Sequence, residues 1–278
     1  SMCGICGIFD QSSKVPPNKG ELEAMCGLLA HRGPDGYRTL IRRGIGIGHT
    51  RLSVIDIETG WQPISNERGD VWVALNGEIY NYRELRSELR SRGHTFTTES
   101  DTEVIVHLYE EIGDSLVTKL RGMFAFALWD ESRQRLVLAC DRIGKKPIYY
   151  TEVGDQLIFA SEIAALTQNP RVSKEVDLQS VYQYLSYGYI PAPQSIFKNV
   201  GKVPPAHLLV RENGRTQLKN YWTLDFTQQG GSSFQDYVQG IREHLTDAVK
   251  IRLESDVPLG FFLSGGVDSS LVVAIASS

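Results

Sequence analysis

Alternating apolar and polar positions, bounded by turn residues, mark most of the first half of the chain as strand. The segments are IGIGH (45–49), RLSVID (51–56), VWVAL (71–75), MFAFALW (123–129), RLVLAC (135–140), PIYY (147–150) and QLIFA (156–160). Two helices interrupt them. One is predicted to start at Asn81, with Glu84 as reciprocating acid, Leu85 and Leu89 on one face and Gly93 as its stop. The other starts at the S-x-x-E box of Ser100 and Glu103, carries Val104, Ile105, Leu108 and Ile112, and ends at Gly113. Short strand spacing with grouped helices predicts an α+β fold of antiparallel sheets, not a βαβ repeat.

After Asp177 the pattern changes. A short helix over 177–186 gives way to the proline-rich YIPAPQSIF and KVPPAH, and a hairpin is predicted around Asn213 and Gly214. The stretch TLDFTQQGGSS (223–233) has linker composition, so the chain is expected to divide into 1–222, a linker over 223–233, and 234–278. Beyond the linker, an amphipathic helix from Phe234 to about Glu254, a buried strand VPLGFFL (257–263) and a turn SGGVDSS (264–270) entering another helix form a strand, glycine loop, helix unit.

Composition narrows the function classes. The 278 residues, 41% hydrophobic, suffice for one large core or two smaller ones. Lys+Arg 29 against Asp+Glu 33, a net charge of −4, leaves no positive excess to meet nucleic acid or an anionic membrane. The longest apolar runs, FAFALW (124–129) and LVVAIA (271–276), fall far short of the roughly 20 residues of a membrane span. The four cysteines, Cys3, Cys6, Cys26 and Cys140, include one formal CxxC but no second pair and no histidine at metal spacing. No metal ligands are therefore expected, and the start lacks a signal-peptide pattern, so a reduced, cytoplasmic setting is expected.

Four positions invite chemistry. Cys3 is either ordinary filling or a nucleophile near the start of the chain. Asn76-Gly77 would ordinarily announce a hairpin, but a capped helix follows, so a loop is expected in which a backbone N–H and an Asn side chain converge as oxyanion donors. Arg51 is either a solvated strand end or a clamp for a carboxylate. Asp101 either meets the helix dipole or holds an ammonium group.

The ordered motifs CGICGIFD (3–10), HRGPDG (31–36), HTRLSVID (49–56), NGEIYNY (76–82), SDTEVI (100–105), GMFAFALWD (122–130) and DRIGKKPIYY (141–150) resemble the class II, or N-terminal-nucleophile, glutamine amidotransferases. The resemblance implies a four-layer αββα fold, two antiparallel sheets between helical layers. It makes Cys3 the nucleophile on the side-chain amide of glutamine, with its own α-amino group as base, and Asn76 with the Gly77 N–H the oxyanion hole. Arg51 would take the α-carboxylate and Asp101 the ammonium, while Leu52, Ser53, Val54, Ile55 and Glu78 would line the pocket. The role needs Cys3 to be first. Met2 is accordingly expected to be the initiator and Ser1 a tag remnant, and a chain retaining both is expected to be a poor glutaminase that needs no cofactor for that half-reaction.

LSGGVDSS (263–270) fits neither the dinucleotide fingerprint nor Walker spacing, yet a glycine loop entering a helix can cradle an anion. It resembles the pyrophosphate loop of the α/β ATP pyrophosphatases. That resemblance implies that Ser264, Gly265, Gly266, Asp268 and Ser269 grip ATP phosphates or Mg2+, with Leu263 near the adenine. A class II glutaminase followed by such a loop is the order of the asparagine synthetase family. The implied substrates are glutamine, ATP and a carboxylate acceptor, aspartate first and a sugar carboxylate or other acceptor as the alternative. Glucosamine-6-phosphate synthase, phosphoribosylpyrophosphate amidotransferase and glutamate synthase resemble only the first half. A catalytically silent module and a homodimer are left open. Residues 234–278 alone offer too little to bury a doubly wound sheet, so a truncated synthetase domain is expected.

Overall fold

Residues 3–10, 12, 15–227 and 233–278 are described by a computed structural model. The expectations for Ser1 and Met2, and the middle of the expected linker at 228–232, lie outside the described residues.

Six strands build the first sheet: β1 (Gly4–Asp10), β2 (Tyr37–Arg42), β3 (Ile45–Thr50), and later β8 (Tyr149–Val153), β9 (Gln156–Ala160) and β10 (Gly201–Lys202), in the order β10-β8-β9-β1-β3-β2. The second holds β4 (Ile64–Ser65), β5 (Val71–Ile79), β6 (Gly122–Asp130), β7 (Arg135–Cys140), β11 (His207–Glu212) and β12 (Arg215–Asn220), in the order β12-β11-β7-β6-β5-β4. All ladders between these strands are antiparallel. The helices are α1 (Lys19–Leu28), α2 (Tyr82–Ser91), α3 (Val104–Ile112), α4 (Ile163–Leu166), α5 (Leu178–Tyr187), α6 (Phe234–Lys250) and α7 (Val267–Ala276).

Side-chain alternation assigns three apolar layers. Ile5, Phe9, Ile45 and Ile47 of the first sheet meet Ala127, Trp129, Leu136 and Leu138 of the second, with the Phe9 and Trp129 rings 5.5 Å apart. The opposite face of β1 turns Cys6 and Ile8 toward Leu22, Met25 and Cys26 of α1 and Leu166 of α4. Beyond the second sheet, Val73, Leu75, Phe124 and Phe126 pack on Leu85 and Leu89 of α2 and on Val104 and Leu108 of α3. The result is the expected αββα stack. Strands covered on both faces read as near-continuous apolar runs, as MFAFALW and RLVLAC do.

Several local expectations change. RLSVID is not a strand: Arg51 makes a single bridge to Pro34, and 52–56 have no regular structure. Its backbone groups are taken by side chains and by a distant segment instead. Ser53 N–H donates to Asp35 Oδ2 (2.7 Å), Asp56 N–H to Asp256 Oδ2 (2.7 Å), and Val54 O accepts from Asp256 N–H (3.0 Å). Asn76 and Gly77 lie within β5, opposite Ala125 and Phe124, not in a loop. VPLGFFL forms no strand, and Phe262 is fully exposed, because no strand among the described residues pairs with it. Asn81 makes no side-chain cap; its amide bridges Lys119 O (3.0 Å) and Arg121 N (2.9 Å). Ser100 accepts from Thr102 N–H (3.2 Å), but Glu103 takes the N–H groups of Thr97 and Thr98 (both 2.7 Å), so no reciprocal box forms. The helix beginning at Phe234 ends at Lys250, short of Glu254.

The 177–186 helix appears as α5, capped by Asp177, and the hairpin at Asn213 and Gly214 has both residues at positive φ (50° and 73°). Sequence pattern missed β1, although it is central to its sheet. Its glycines hide the alternation, and Gly7 shows why they are there. A Cβ on Gly7 would lie 2.3 Å from the Phe159 ring and 2.6 Å from Gly46 O. Gly7→Ala is expected to destabilise the protein by about 1–3 kcal/mol through overpacking, read as a lower urea midpoint with an unchanged m-value.

Candidate active site

Five segments converge on one cavity of about 210 Å³: Cys3 just ahead of β1; Leu52 and Val54 of the loop after β3; Gly77, Glu78 and Tyr80 at the end of β5; Met123 of β6; and the buried Lys146 after β7. Arg252, Glu254 and Leu259 complete its wall from beyond α6. Asp256 N–H on Val54 O, the Arg83–Glu254 and Arg121–Asp247 ion pairs, and Arg252 over the Tyr80 ring (4.9 Å) hold that segment in place.

The Cys3 thiol accepts from Leu52 N–H (3.4 Å) and faces Leu52 O at 3.6 Å, while Arg32 Nε holds Cys3 O (3.0 Å). Burial pushes the thiol up to about 11; Glu78 and Asp101 add to this, and Leu52 N–H and Arg51 oppose it. An un-ionised thiol of this kind needs a base before it can attack.

β5 supplies the donors. β4 pairs with it only at Trp72 and Val73, so farther along that edge the N–H groups of alternate residues need other partners. Leu75 N–H goes to Gln62 Oε1 (2.6 Å) and Ile79 N–H to Asp101 Oδ2 (2.7 Å). Gly77 N–H falls between them on the same edge. Its φ of 149°, and the 2.0 Å at which a Cβ would meet Met123 O, allow only glycine there. Asn76 is fully buried, and neither side-chain polar atom has a hydrogen-bond partner among the described residues. Such an amide is costly unless a bound group completes it.

Two charges are equally unmatched. Arg51, 2% exposed, donates Nη1 to Ile57 O (3.1 Å) and Nη2 to Asp56 O and stacks on Trp61 (4.9 Å). Burial lowers its pKa, against the more distant pull of Asp56, Cys3 and Asp35. Asp101, 5% exposed, accepts from Ile79 N–H and, at 3.4 Å, from the Ser100 and Thr102 hydroxyls, with no cationic side chain among the described residues paired to it. Burial and the adjacent Asp101 carboxylate raise Glu78 to about 9, and burial raises Asp101 to about 6. Near neutrality Glu78 therefore keeps its proton, donates it to Asp101, and the pair carries one negative charge.

Of the expected lining, Leu52, Val54, Gly77 and Glu78 form the wall with Cys3; Ser53 and Ile55 do not, Ile55 packing into the core beside α3. Arg51, Asn76 and Asp101 do not line the cavity, although the Arg51 and Asp101 charges reach the Cys3 thiol. Sequence reasoning missed Tyr80, Met123, Lys146, Arg252, Glu254 and Leu259. Tyr80, Met123 and Lys146 carried a trace, lying inside the motifs NGEIYNY, GMFAFALWD and DRIGKKPIYY.

The glutamine amidotransferase domain description matches residues 2–222. The chain belongs to that family. Residues 240–278 also match the asparagine synthase description. Asparagine synthetase [glutamine-hydrolyzing] 1 of Bacillus subtilis is 39% identical over 99% of this chain and 44% of its own length; asparagine synthetase B [glutamine-hydrolyzing] of Escherichia coli is 36% identical over the same shares. Amidase chyE of Penicillium rubens is 35% identical over 99% of this chain and 43% of its own. The amidotransferase chain thus spans less than half the length of these relatives. Among solved structures, B. subtilis glutamine phosphoribosylpyrophosphate amidotransferase shares the fold, with TM-score 0.57 and 19% identity over 99% of this chain and 64% of that one.

The second expected site of the amidotransferase is an exposed loop. Gly265 has φ 81°, Gly266 caps α7, and Ser264 Oγ meets Ser269 Oγ at 2.9 Å while Ser269 donates to Gly266 O (3.1 Å). Leu263 and Asp268 are exposed beside it, and none of these residues lines the cavity at Cys3.

The proton shared by Glu78 and Asp101 has a thermodynamic signature. Folded Glu78 keeps a proton, up to about pH 9, that an unfolded chain releases near the ordinary glutamate value of 4.5. Its contribution is therefore present in full below pH 4.5 and is lost as pH rises toward 9. Glu78→Gln is expected to flatten the fall in stability between pH 6 and 8.5, measured by urea denaturation across that range.

Proposed function

We propose that Cys3 is the nucleophile of a glutaminase whose ammonia serves an ATP-dependent amidation of a carboxylate. The observation that carries the reading is the pair of buried, unmatched charges, Arg51 and Asp101, that both act on the Cys3 thiol. A free α-amino acid brings one carboxylate and one ammonium, and would complete both. Glu78, protonated and bonded to Asp101, limits the local charge to what a single ammonium balances.

With Cys3 as first residue, its neutral α-amino group takes the thiol proton as sulfur attacks the side-chain amide carbon of glutamine. A C–S bond forms and the carbonyl oxygen becomes an oxyanion facing Asn76 Nδ2 and Gly77 N–H. The proton passes from the amine to the leaving nitrogen, the C–N bond breaks, and ammonia departs to leave a glutamyl thioester. Water, deprotonated by the same amine, then cleaves the thioester to glutamate and restores the thiol.

Asparagine synthetases among the relatives support aspartate as acceptor, activated at the loop of Ser264, Gly265, Gly266, Asp268 and Ser269 with ATP and Mg2+. A relative whose name is amidase and not asparagine synthetase aligns over as much of this chain, so a different carboxylate is kept as the second reading. Matches over 2–222 and 240–278, with no regular structure over 221–227, support a linker at 223–233.

A chain beginning at Cys3 is expected to hydrolyse glutamine and to be labelled at Cys3 by a diazo-ketone glutamine analogue. Restoring Ser1 and Met2 should suppress turnover, and Cys3→Ala should abolish it. Asn76→Ala should lower kcat by about 10²–10³ with little change in KM. Equal rates with and without the two leading residues would refute the α-amino base; absence of turnover and labelling in the trimmed chain would leave a silent module.

A further inference from the structure

Away from the catalytic cavity, under the outer helical layer, four side chains from three segments point their ligating atoms at one spot. They are Glu67 of the β4–β5 turn, His94 after α2, and His107 and Glu110 one turn apart on α3, all within 4.8 Å of one another. We infer that Glu67, His94, His107 and Glu110 form a structural zinc site.

Spacing is the first argument. Zn–N of about 2.0–2.1 Å and Zn–O of about 2.0–2.2 Å in a tetrahedron place neighbouring donors about 3.3–3.5 Å apart. His94 Nδ1 lies 3.4 Å from a Glu67 oxygen and 3.8 Å from Glu110 Oε2; His107 Nδ1 lies 3.4 Å from Glu67 Oε2 and 3.5 Å from Glu110 Oε2. The three that join His94 Nδ1, His107 Nδ1, Glu67 Oε2 and Glu110 Oε2 come close to tetrahedral edges, the His94 contact being with the other Glu67 oxygen, Oε1, and the four donors lie within 4.8 Å of one another. Six-oxygen ions such as Mg2+ and Ca2+ find neither the number nor the type of donor here.

The second argument is what the donors lack. His107 is fully buried, yet neither ring nitrogen makes a hydrogen bond of acceptable geometry, and Glu110 Oε2 is likewise buried without one. Two of the atoms aimed at the common point, His107 Nδ1 and Glu110 Oε2, are thus left without partners, while neighbouring groups back the other side-chain atoms. Glu111 meets His94 Nε2 at 3.1 Å, and the fully buried Glu103 lies 3.6 Å from His107 Nε2. Thr95 N–H holds Glu67 Oε1 (2.7 Å); Asn66 (2.9 Å) and Arg68 (2.8 Å) hold Glu110 Oε1. A carboxylate behind each imidazole is the support that metal-bound histidines use to fix tautomer and orientation. With four protein donors the site is closed, which suits a staple and not a catalyst.

The test uses the whole chain, stripped with a chelator and titrated with Zn2+ against a competing indicator. One equivalent is expected to bind, to raise Tm, and to give an X-ray absorption shell of nitrogen and oxygen with no sulfur. His94→Gln and Glu67→Gln should each abolish the Tm gain, and Glu111→Gln should weaken binding by about 10–100-fold. Circular dichroism verifies folding; should His107→Gln fail to fold, the two loop variants carry the test. Failure to bind zinc, sulfur in the metal shell, or unchanged affinity in His94→Gln and Glu67→Gln would each overturn the site and leave His107 as a member of a carboxylate ion-pair cage.

Discussion

The active-site geometry rests on an unfinished sheet edge. β4 accompanies β5 for two residues and stops, so the β5 backbone from Leu75 to Ile79 must find partners that are not a strand. Gln62 and Asp101 supply two of them, and each thereby becomes fixed to the backbone on either side of Gly77. A longer β4 would satisfy the same N–H groups more cheaply and abolish the site. Gly77 follows from this constraint as well, because Met123 O approaches from the paired side and leaves no room for a side chain.

Burial then makes the electrostatics count. Arg51 is oriented by neutral carbonyls and an indole, and Asp101 by an amide and two hydroxyls, so neither charge is quenched. Pairing them with each other or with other side chains would stabilise the protein, but would leave no unmatched charge acting on Cys3. The raised Glu78 is the consequence: two carboxyl groups side by side in a desolvated pocket cannot both ionise, and one proton resolves the conflict.

What the sequence disclosed, and what it hid, follows from range. The antiparallel strands were legible because strands covered on both faces announce themselves as apolar runs, whereas the αββα stack and the candidates Cys3, Asn76, Gly77 and Glu78 came from the resemblance carried by motifs that occur in order. RLSVID misled because Leu52 and Val54 are apolar for the sake of a cavity, not a sheet. VPLGFFL misled because a strand exists only with a neighbour. β1 was hidden by glycines that serve close contact with Phe159 and Gly46. Arg252, Glu254 and Leu259 could not be foreseen, since only tertiary contacts such as that of Asp256 with Val54 bring them to the thiol. The histidines escaped a search for metal spacing for the same reason: Glu67, His94 and His107 come from three segments.

The two sites share a rod. Asp101 opens the helical turn Asp101–Glu103, which runs directly into α3, and α3 carries His107 and Glu110. Glu103 ties the end of that turn to Thr97 and Thr98 and lies behind His107. A metal joining α3 to the β4–β5 turn and to the loop after α2 would therefore anchor the element that aims Asp101 at the end of β5. The hydrogen bond from Ile79 N–H to Asp101 is short and buried, so slippage of α3 along the sheet would break it before disturbing the apolar layer beneath. Rigidity of the outer helical layer thus bears on the electrostatics of the pocket without any ligand passing between them.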